Sequence, residues 1–309
     1  MTLALVAVAT LGIALAALGL WFWTPDKSRR ELEAKYLAAP GDLIEISGIR
    51  LHVRDSGPHD RPALILLHCF GSSLHTWEPW ADDLSSDFRV IRFDMPGSGL
   101  SSADPNADYS DARSLQVLTA LMDHFGIART TLIGNSMGGR IAWTFAAACP
   151  DRVDKLVLIS PDGFAGHGVD YGKRRAIPST VRLMRFVLPK PLLRMNLVPA
   201  YADPDKLTDP IVTRYHDLLL GPDVRDAMIA RMEQNELVDR QPLLRTIKAP
   251  TLLLWGDRDG MIPLANSNDY LKELPDSRLV VLPGLGHLPF EEAPRTALVP
   301  LRSFLAEQE

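Results

Sequence analysis

The chain reads as an α/β protein: a mostly parallel eight-stranded sheet with helices on both faces, an inserted helical lid and an N-terminal transmembrane helix. Three observations predict this. Short β-branched or leucine-rich runs alternate with helix-length segments from Gly41 onward, runs such as Leu64-Ile65-Leu66-Leu67 are apolar without interruption, and residues 1–23 hold no charged side chain. Strands alternating with helices imply crossover helices on a parallel sheet, and a strand apolar at every position implies burial on both faces.

The N-terminal stretch comes first. From Thr2 to Trp23 there are 22 uncharged residues, and at roughly 1.5 Å per residue a helix of that length is about 33 Å long, enough to cross a bilayer core. A cleaved secretory signal would need a basic leading segment and a small-residue site near its end. Met1-Thr2 is not basic, and the Ala-x-Ala candidates lie inside the run. Trp21-Phe22-Trp23 supplies an interfacial aromatic belt, and Lys27, Arg29 and Arg30 follow it; by the positive-inside rule they point the main domain to the cytoplasm. Residues 1–24 therefore form a single-pass anchor to a lipid bilayer. Residues 25–40 form a juxtamembrane helix or linker, surface-lying or solvated, with Lys27–Tyr36 as its helical part.

The expected strands are Leu43–Ile46, Leu51–Arg54, Ala63–Leu67, Val90–Phe93, Thr131–Ile133, Leu156–Ile159, Thr251–Trp255 and Leu279–Leu282. The helical patterns Asp111–Phe125, Gly138–Ala147, Ala265–Leu274 and Pro294–Glu307 lie between or after them. Residues 41–161 and 249–309 form the core. Residues 162–248, with several prolines and no strand pattern, form the lid. Within it, residues 173–194 carry seven Lys/Arg and no Asp/Glu, interleaved with Leu183, Met184, Phe186 and Leu192. That pattern suits an anionic membrane surface or a lid helix with one solvated face.

Composition excludes several classes. A net charge of −5 offers no basic excess for nucleic acid, and Cys69 and Cys149 are too few for a disulfide framework or a zinc site. There is no phosphate-binding glycine loop, dinucleotide fingerprint or metal cluster, so no metal or other cofactor is expected.

The chemistry is carried by Gly134-Asn135-Ser136-Met137-Gly138-Gly139, a G-x-S-x-G nucleophile elbow between the strand Thr131–Ile133 and a helical segment. Small residues around the serine allow a sharp turn that projects Ser136 Oγ, with the Met137 N–H facing an oxyanion. A serine needs a base held by a carboxylate, and in the fold that carries such an elbow the chain order is Ser, acid, His. Five of the eight histidines precede Ser136. His167 and His216 fall in the lid, whereas His287, in Gly284-Leu285-Gly286-His287, follows a strand. Asp257 and Asp259, after the strand Thr251–Trp255, both qualify as the acid. Asp259 is preferred, since Asp257 comes so early that it serves to cap the turn. The second oxyanion donor falls in His68-Cys69-Phe70-Gly71, at the Phe70 N–H, with His68 structuring the loop.

These segments, with Phe93-Asp94-Met95-Pro96-Gly97-Ser98-Gly99, resemble the α/β-hydrolase superfamily over nearly all of residues 41–309. In members with a Trp-Gly-x-x-Asp segment the last Asp is the triad acid, which the resemblance transfers to Asp259. One departure is Cys69, where the family's oxyanion loop has glycine. Ser136 stands where the similar haloalkane dehalogenases and epoxide hydrolases have aspartate. With its N-terminal helix the chain is similar to membrane-anchored monoacylglycerol lipases of animals and to a bacterial membrane-anchored phospholipase A. That resemblance implies fatty-acyl esters of membrane lipids as substrates and, from the bacterial relative, a homodimer with a periplasmic catalytic domain. The last point opposes the positive-inside reading and leaves orientation open. The expected function is serine-dependent acyl ester hydrolysis through Ser136, Asp259 and His287. Carbon–carbon hydrolysis of ring-cleavage diketones, which the Gly134–Gly139 segment also resembles, and a catalytically silent membrane-tethered receptor are the alternatives.

Overall fold

The computed structural model describes residues 23–164, 172, 177–236, 239 and 241–307. The candidate transmembrane helix lies outside these except for Trp23 and Thr24, as does His167. No helix among the described residues is long and apolar enough to cross a membrane.

Eight strands form one sheet: β1 Leu43–Ile46, β2 Ile49–Ser56, β3 Ala63–Leu67, β4 Arg89–Phe93, β5 Thr130–Asn135, β6 Val153–Ile159, β7 Thr251–Gly256 and β8 Ser277–Leu282. Their spatial order is β1-β2-β4-β3-β5-β6-β7-β8. β2 runs antiparallel to β1 and β4, and the remaining neighbours are parallel. β1 and β2 form a tight hairpin because Ser47 and Gly48 both take positive φ, 54° and 77°, the backbone that a two-residue turn between twisted strands demands. β2 therefore begins two residues earlier than the expected Leu51.

The uninterrupted apolar strands are explained by two cores. Ile65 and Leu67 face a cluster with Phe93, Leu132 and Trp143, whereas Leu64 and Leu66 face another with Trp77, Trp80 and Phe290. The chain leaves β3 for β4 on one side and leaves β5 for β6 on the other. The crevice beyond the C-terminal ends of β3 and β5 is thus the switch point where an open α/β sheet binds ligands.

Asp94, just past β4, clamps the loops at that crevice. One carboxylate oxygen accepts from Leu74 N at 2.6 Å; the other accepts from His52 Nδ1 at 2.7 Å and Leu100 N at 2.8 Å. Burial opposes its charge, but the neighbouring His52 and its hydrogen bond prevail and pull the carboxyl down from 3.8 to about 2.

Between β6 and β7 the chain makes a helical insertion with the helices Ser179–Arg182, Lys190–Leu197, Asp209–Leu219, Val224–Gln234 and Gln241–Leu244. Leu188, Leu193, Tyr215, Leu219 and Val224 give it a small core of its own. The expected juxtamembrane segment forms a helix at Arg29–Tyr36, started by Ser28, whose Oγ accepts from Glu31 N at 3.2 Å. One side of it is docked on the domain, because Leu32 packs with Leu100 and Leu218, while Arg30, Glu31, Ala34 and Lys35 stay exposed.

Residues 24–36 are joined to the insertion at several points. Thr24 N donates to Phe186 O at 2.8 Å and Lys27 N to Leu220 O at 2.7 Å. Arg225 pairs with Asp26 at 2.6 Å. Asp217, only 4% exposed, collects Lys35 Nζ at 2.6 Å, Tyr36 OH at 2.7 Å and Lys27 Nζ at 3.3 Å.

Two outcomes follow for stability. The folded carboxyl of Asp94 titrates below its unfolded value, so its contribution, on the order of 2 kcal/mol, is present above about pH 4 and lost as pH falls towards 2. Urea midpoints of wild type and Asp94→Asn will differ most at pH 7 and converge below pH 4. Asp217→Ala removes the shared partner of two half-exposed lysines and a tyrosine. Discounted for that exposure, the loss is about 1–2 kcal/mol, so tryptic cleavage within residues 27–35 will speed up roughly 5- to 30-fold.

Candidate active site

Ser136 sits between the end of β5 and the helix Met137–Ala148 with φ 53° and ψ −117°. Only close backbone contacts hold a non-glycine residue there. A Cβ on Gly134 would stand 2.4 Å from Gly138 O, and one on Gly138 would stand 2.2 Å from Leu67 O. The elbow thus presses against β3 with nothing but hydrogen between the chains. Ser136 N donates to Ile159 O and Asp162 N to Ser136 O, each at 3.0 Å, fixing both sides of the peptide.

Asp259 is buried in the turn after β7. Its Oδ1 accepts from Met261 N and Ile262 N, both at 2.8 Å, and its Oδ2 faces His287 Nδ1 at 2.8 Å. Burial opposes its charge, but the His287 hydrogen bond and charge and the Ile262 amide outweigh it, holding the carboxyl below 3.8. An ionised Asp259 accepts the Nδ1 proton, which leaves His287 Nε2 the basic nitrogen of the neutral ring. Asp257 stands apart from this pair, since its Oδ1 accepts from Gly284 N at 2.7 Å and ties the β7 turn to the β8 loop.

The His287 loop is held from three directions. Its amide donates to Ala200 O of the insertion at 2.8 Å. Asn135 Nδ2, next to the nucleophile position, donates to His287 O at 3.1 Å and to Ile159 O at 3.0 Å. Gly286 N donates to Glu292 at 2.7 Å. The structure therefore brings the Ser136 elbow and the Asp259–His287 pair to one end of the sheet. Sequence reasoning did not single out Asn135, whose role depends on a contact 152 residues away.

His68 accepts from Met95 N through Nε2 at 3.0 Å and places Nδ1 2.8 Å from Cys69 O. Both nitrogens are thus engaged in shaping the loop, and burial lowers its pKa. Burial also pushes the Cys69 thiol up to about 12. Phe70, 38% exposed, lines a cavity of about 250 Å³ with Ser136, Met137, Arg140, Asp162 and Arg231. Met137 opens its helix, so its amide has no acceptor within that helix.

A second polar group lies behind Cys69. Glu291 accepts from Tyr201 OH at 2.6 Å, from Tyr215 OH at 3.1 Å and from Arg214 Nη2. This buried set joins the segment after His287 to the insertion, and the sequence offered no spacing that would pair these residues. His216 lies in the insertion helix Asp209–Leu219, with Nε2 2.8 Å from Leu188 O.

No group of three or more His, Cys, Asp or Glu arranged to hold a metal occurs among the described residues.

Comparison with known proteins agrees with this architecture. The chain is 28% identical over 249 residues to a 2-hydroxy-6-oxo-6-phenylhexa-2,4-dienoate hydrolase of Burkholderia cepacia, covering 78% of this chain and 86% of the relative. It is 29% identical over 256 residues to a 2-hydroxy-6-oxononadienedioate/2-hydroxy-6-oxononatrienedioate hydrolase of Comamonas testosteroni, with coverages of 78% and 86%. Among solved structures, a bacterial membrane phospholipase A superposes with a TM-score of 0.74 at 26% identity, covering 99% of this chain and 98% of that one. The sequence profile of the alpha/beta hydrolase fold matches residues 62–294, and the chain belongs to that family.

Proposed function

We propose that the protein is a membrane-anchored serine hydrolase that cleaves fatty-acyl esters of glycerolipids. The observation that carries the reading is the Asp259–His287 pair, 2.8 Å apart, at the sheet end that also bears the Ser136 elbow. In this reading His287 Nε2 takes the Ser136 proton as Oγ attacks the ester carbonyl, and Asp259 stabilises the resulting imidazolium. The amides of Met137 and Phe70 receive the developing oxyanion. His287 then passes the proton to the leaving alcohol, and water activated by the same nitrogen releases the fatty acid. The lipid substrate is supported by the likeness to the membrane phospholipase A along 99% of the chain and by the uncharged run of residues 2–23. The cavity of about 250 Å³ is below the roughly 300–1,000 Å³ that encloses drug-sized ligands, so a long acyl chain must continue beyond it. The helical insertion, whose Arg231 lines that cavity, acts as the lid.

The second reading is hydrolysis of a carbon–carbon bond in a ring-cleavage diketone, favoured by the names of the Burkholderia and Comamonas relatives. The same base and nucleophile serve both.

The deciding experiment measures fatty-acid release by the detergent-purified full-length protein from lysophospholipid, diacylphospholipid, monoacylglycerol and short-chain esters, beside cleavage of a vinylogous diketone. Glycerolipid turnover with no diketone cleavage is expected, and the reverse pattern selects the second reading. Ser136→Ala will abolish labelling by a fluorophosphonate and lower turnover by roughly 10⁴- to 10⁶-fold. An unlabelled wild type would leave the silent receptor. Asp259→Asn will cost roughly 10³- to 10⁴-fold, whereas Asp257→Asn will stay within a few-fold of wild type. Equal losses in the two aspartate variants would reject Asp259 as the acid.

A further inference from the structure

The Ser136 cavity contains two arginines that the two-step ester chemistry leaves without a task. Arg140 lies one helical turn beyond Ser136 and is matched by carboxylates. Its Nη1 donates to Asp111 Oδ1 at 2.7 Å, and its Nε lies 3.4 Å from Asp162 Oδ2. Arg231, on the insertion helix Val224–Gln234, is 7% exposed and is placed differently. Its Nη2 donates to Pro96 O at 2.8 Å, and its guanidinium lies over the Tyr109 ring, 4.9 Å from the centroid. Among the described residues no carboxylate forms an ion pair with it.

The other buried arginines of the insertion are not left this way. Arg214 is met by Glu291 and Arg225 by Asp26. Burial lowers the Arg231 guanidinium and Arg140 adds to the effect, whereas Tyr109 and Asp111 oppose it, leaving it at about 10, so the group stays charged at neutral pH; Asp111 itself is in contact with Arg140. Tyr109 is held protonated by burial and offers a ring face, not a formal charge. An interior cation that no carboxylate touches is unfavourable in the free protein and becomes favourable once a ligand supplies the anion. Arg92 of β4 is also buried with unpartnered nitrogens, but it does not line the space beside Ser136.

We infer that Arg231 is the anion-binding group of the Ser136 cavity, so that preferred substrates carry a carboxylate or phosphate near the scissile carbonyl. This rests on the hydrolase reading above and narrows it. The anion sits on the Arg231 side, away from Asp162, whose carboxylate is turned to Arg140. A phosphate on the alcohol side and a carboxylate on the acyl side would both satisfy the guanidinium.

The test uses matched pairs on full-length protein in detergent: p-nitrophenyl hexanoate against mono-p-nitrophenyl adipate, and a monoacylglycerol against its phosphate with the same chain. Wild type should favour the anionic member of at least one pair. The adipate pair reports an acyl-side anion, and the glycerol pair a head-group anion. Arg231→Gln should lower kcat/KM on the preferred anionic substrate roughly 10- to 100-fold, mainly through KM. The anionic-to-neutral ratio of kcat/KM should fall by about the same factor, and Arg231→Lys should recover part of it. A parallel fall on neutral and anionic members, or no preference in wild type, overturns the inference. A binding arm needs neither turnover nor a folded variant, because adipate or glycerol 3-phosphate should raise the Tm of wild type where 1,6-hexanediol and glycerol do not. Absence of that shift also overturns it. Loss of all ester turnover with the shift retained would overturn the ester reading alone.

Discussion

The structure depends on how closely the β5 turn approaches β3. Ser136 holds a positive φ only because the glycines at 134 and 138 let the elbow lie against its own helix and against the Leu67 carbonyl. A methyl group at either position would stand 2.4 Å or less from a carbonyl oxygen. That approach seats Met137 opposite the loop after β3, so that amides from separate strand ends can converge. The sheet makes this possible through its order, since the connections leave β3 and β5 in opposite directions and open the crevice between them. Asp94 adds the next constraint, fixing Leu74 and Leu100 on the flanking loops with one carboxylate.

The insertion shares in this machinery. Ala200 O accepts from the His287 amide, Glu291 gathers Arg214, Tyr201 and Tyr215, and Arg231 lines the cavity. The same insertion is joined to residues 24–36 through Asp217, Arg225 and the backbone at Phe186 and Leu220. The insertion therefore connects the His287 loop to the segment that follows the uncharged N-terminal run.

Most of the sheet and the main site residues were legible because each announces itself locally. Strands buried on both faces are apolar without a break, and the elbow needs small residues at fixed offsets around one serine. The candidate acid and base follow strand ends in glycine-containing turns. Distinguishing Asp259 from Asp257 took the family pattern as well as position, and the geometry shows what separates them: Asp259 lies within the reach of the Met261 and Ile262 amides and of His287, whereas Asp257 turns to Gly284. What was illegible is long-range pairing of charge. Lys35 and Asp217 are 182 residues apart, and Arg214 and Glu291 are 77 apart. Nothing in the periodicity of either segment selects the partner. The Arg29–Tyr36 helix was foreseen as a helix, but its docking through Leu32 was not, since one leucine among charged residues leaves no apolar stripe to read.

The pairing of charges also explains why two arginines of the insertion, Arg214 and Arg231, differ. Burying a guanidinium is tolerable where a carboxylate and further donors surround it, and the Arg214 site meets that condition with Glu291 and two phenols. With its counter-ion built in, that site is suited to holding the insertion against the segment after His287. Arg231 has a carbonyl and an aromatic face instead. These orient the guanidinium without neutralising it, so the charge remains available at the wall of the space beside Ser136. The same side-chain type thus serves as a fastening where its counter-ion is built in, and as a receptor where the counter-ion must arrive with the substrate.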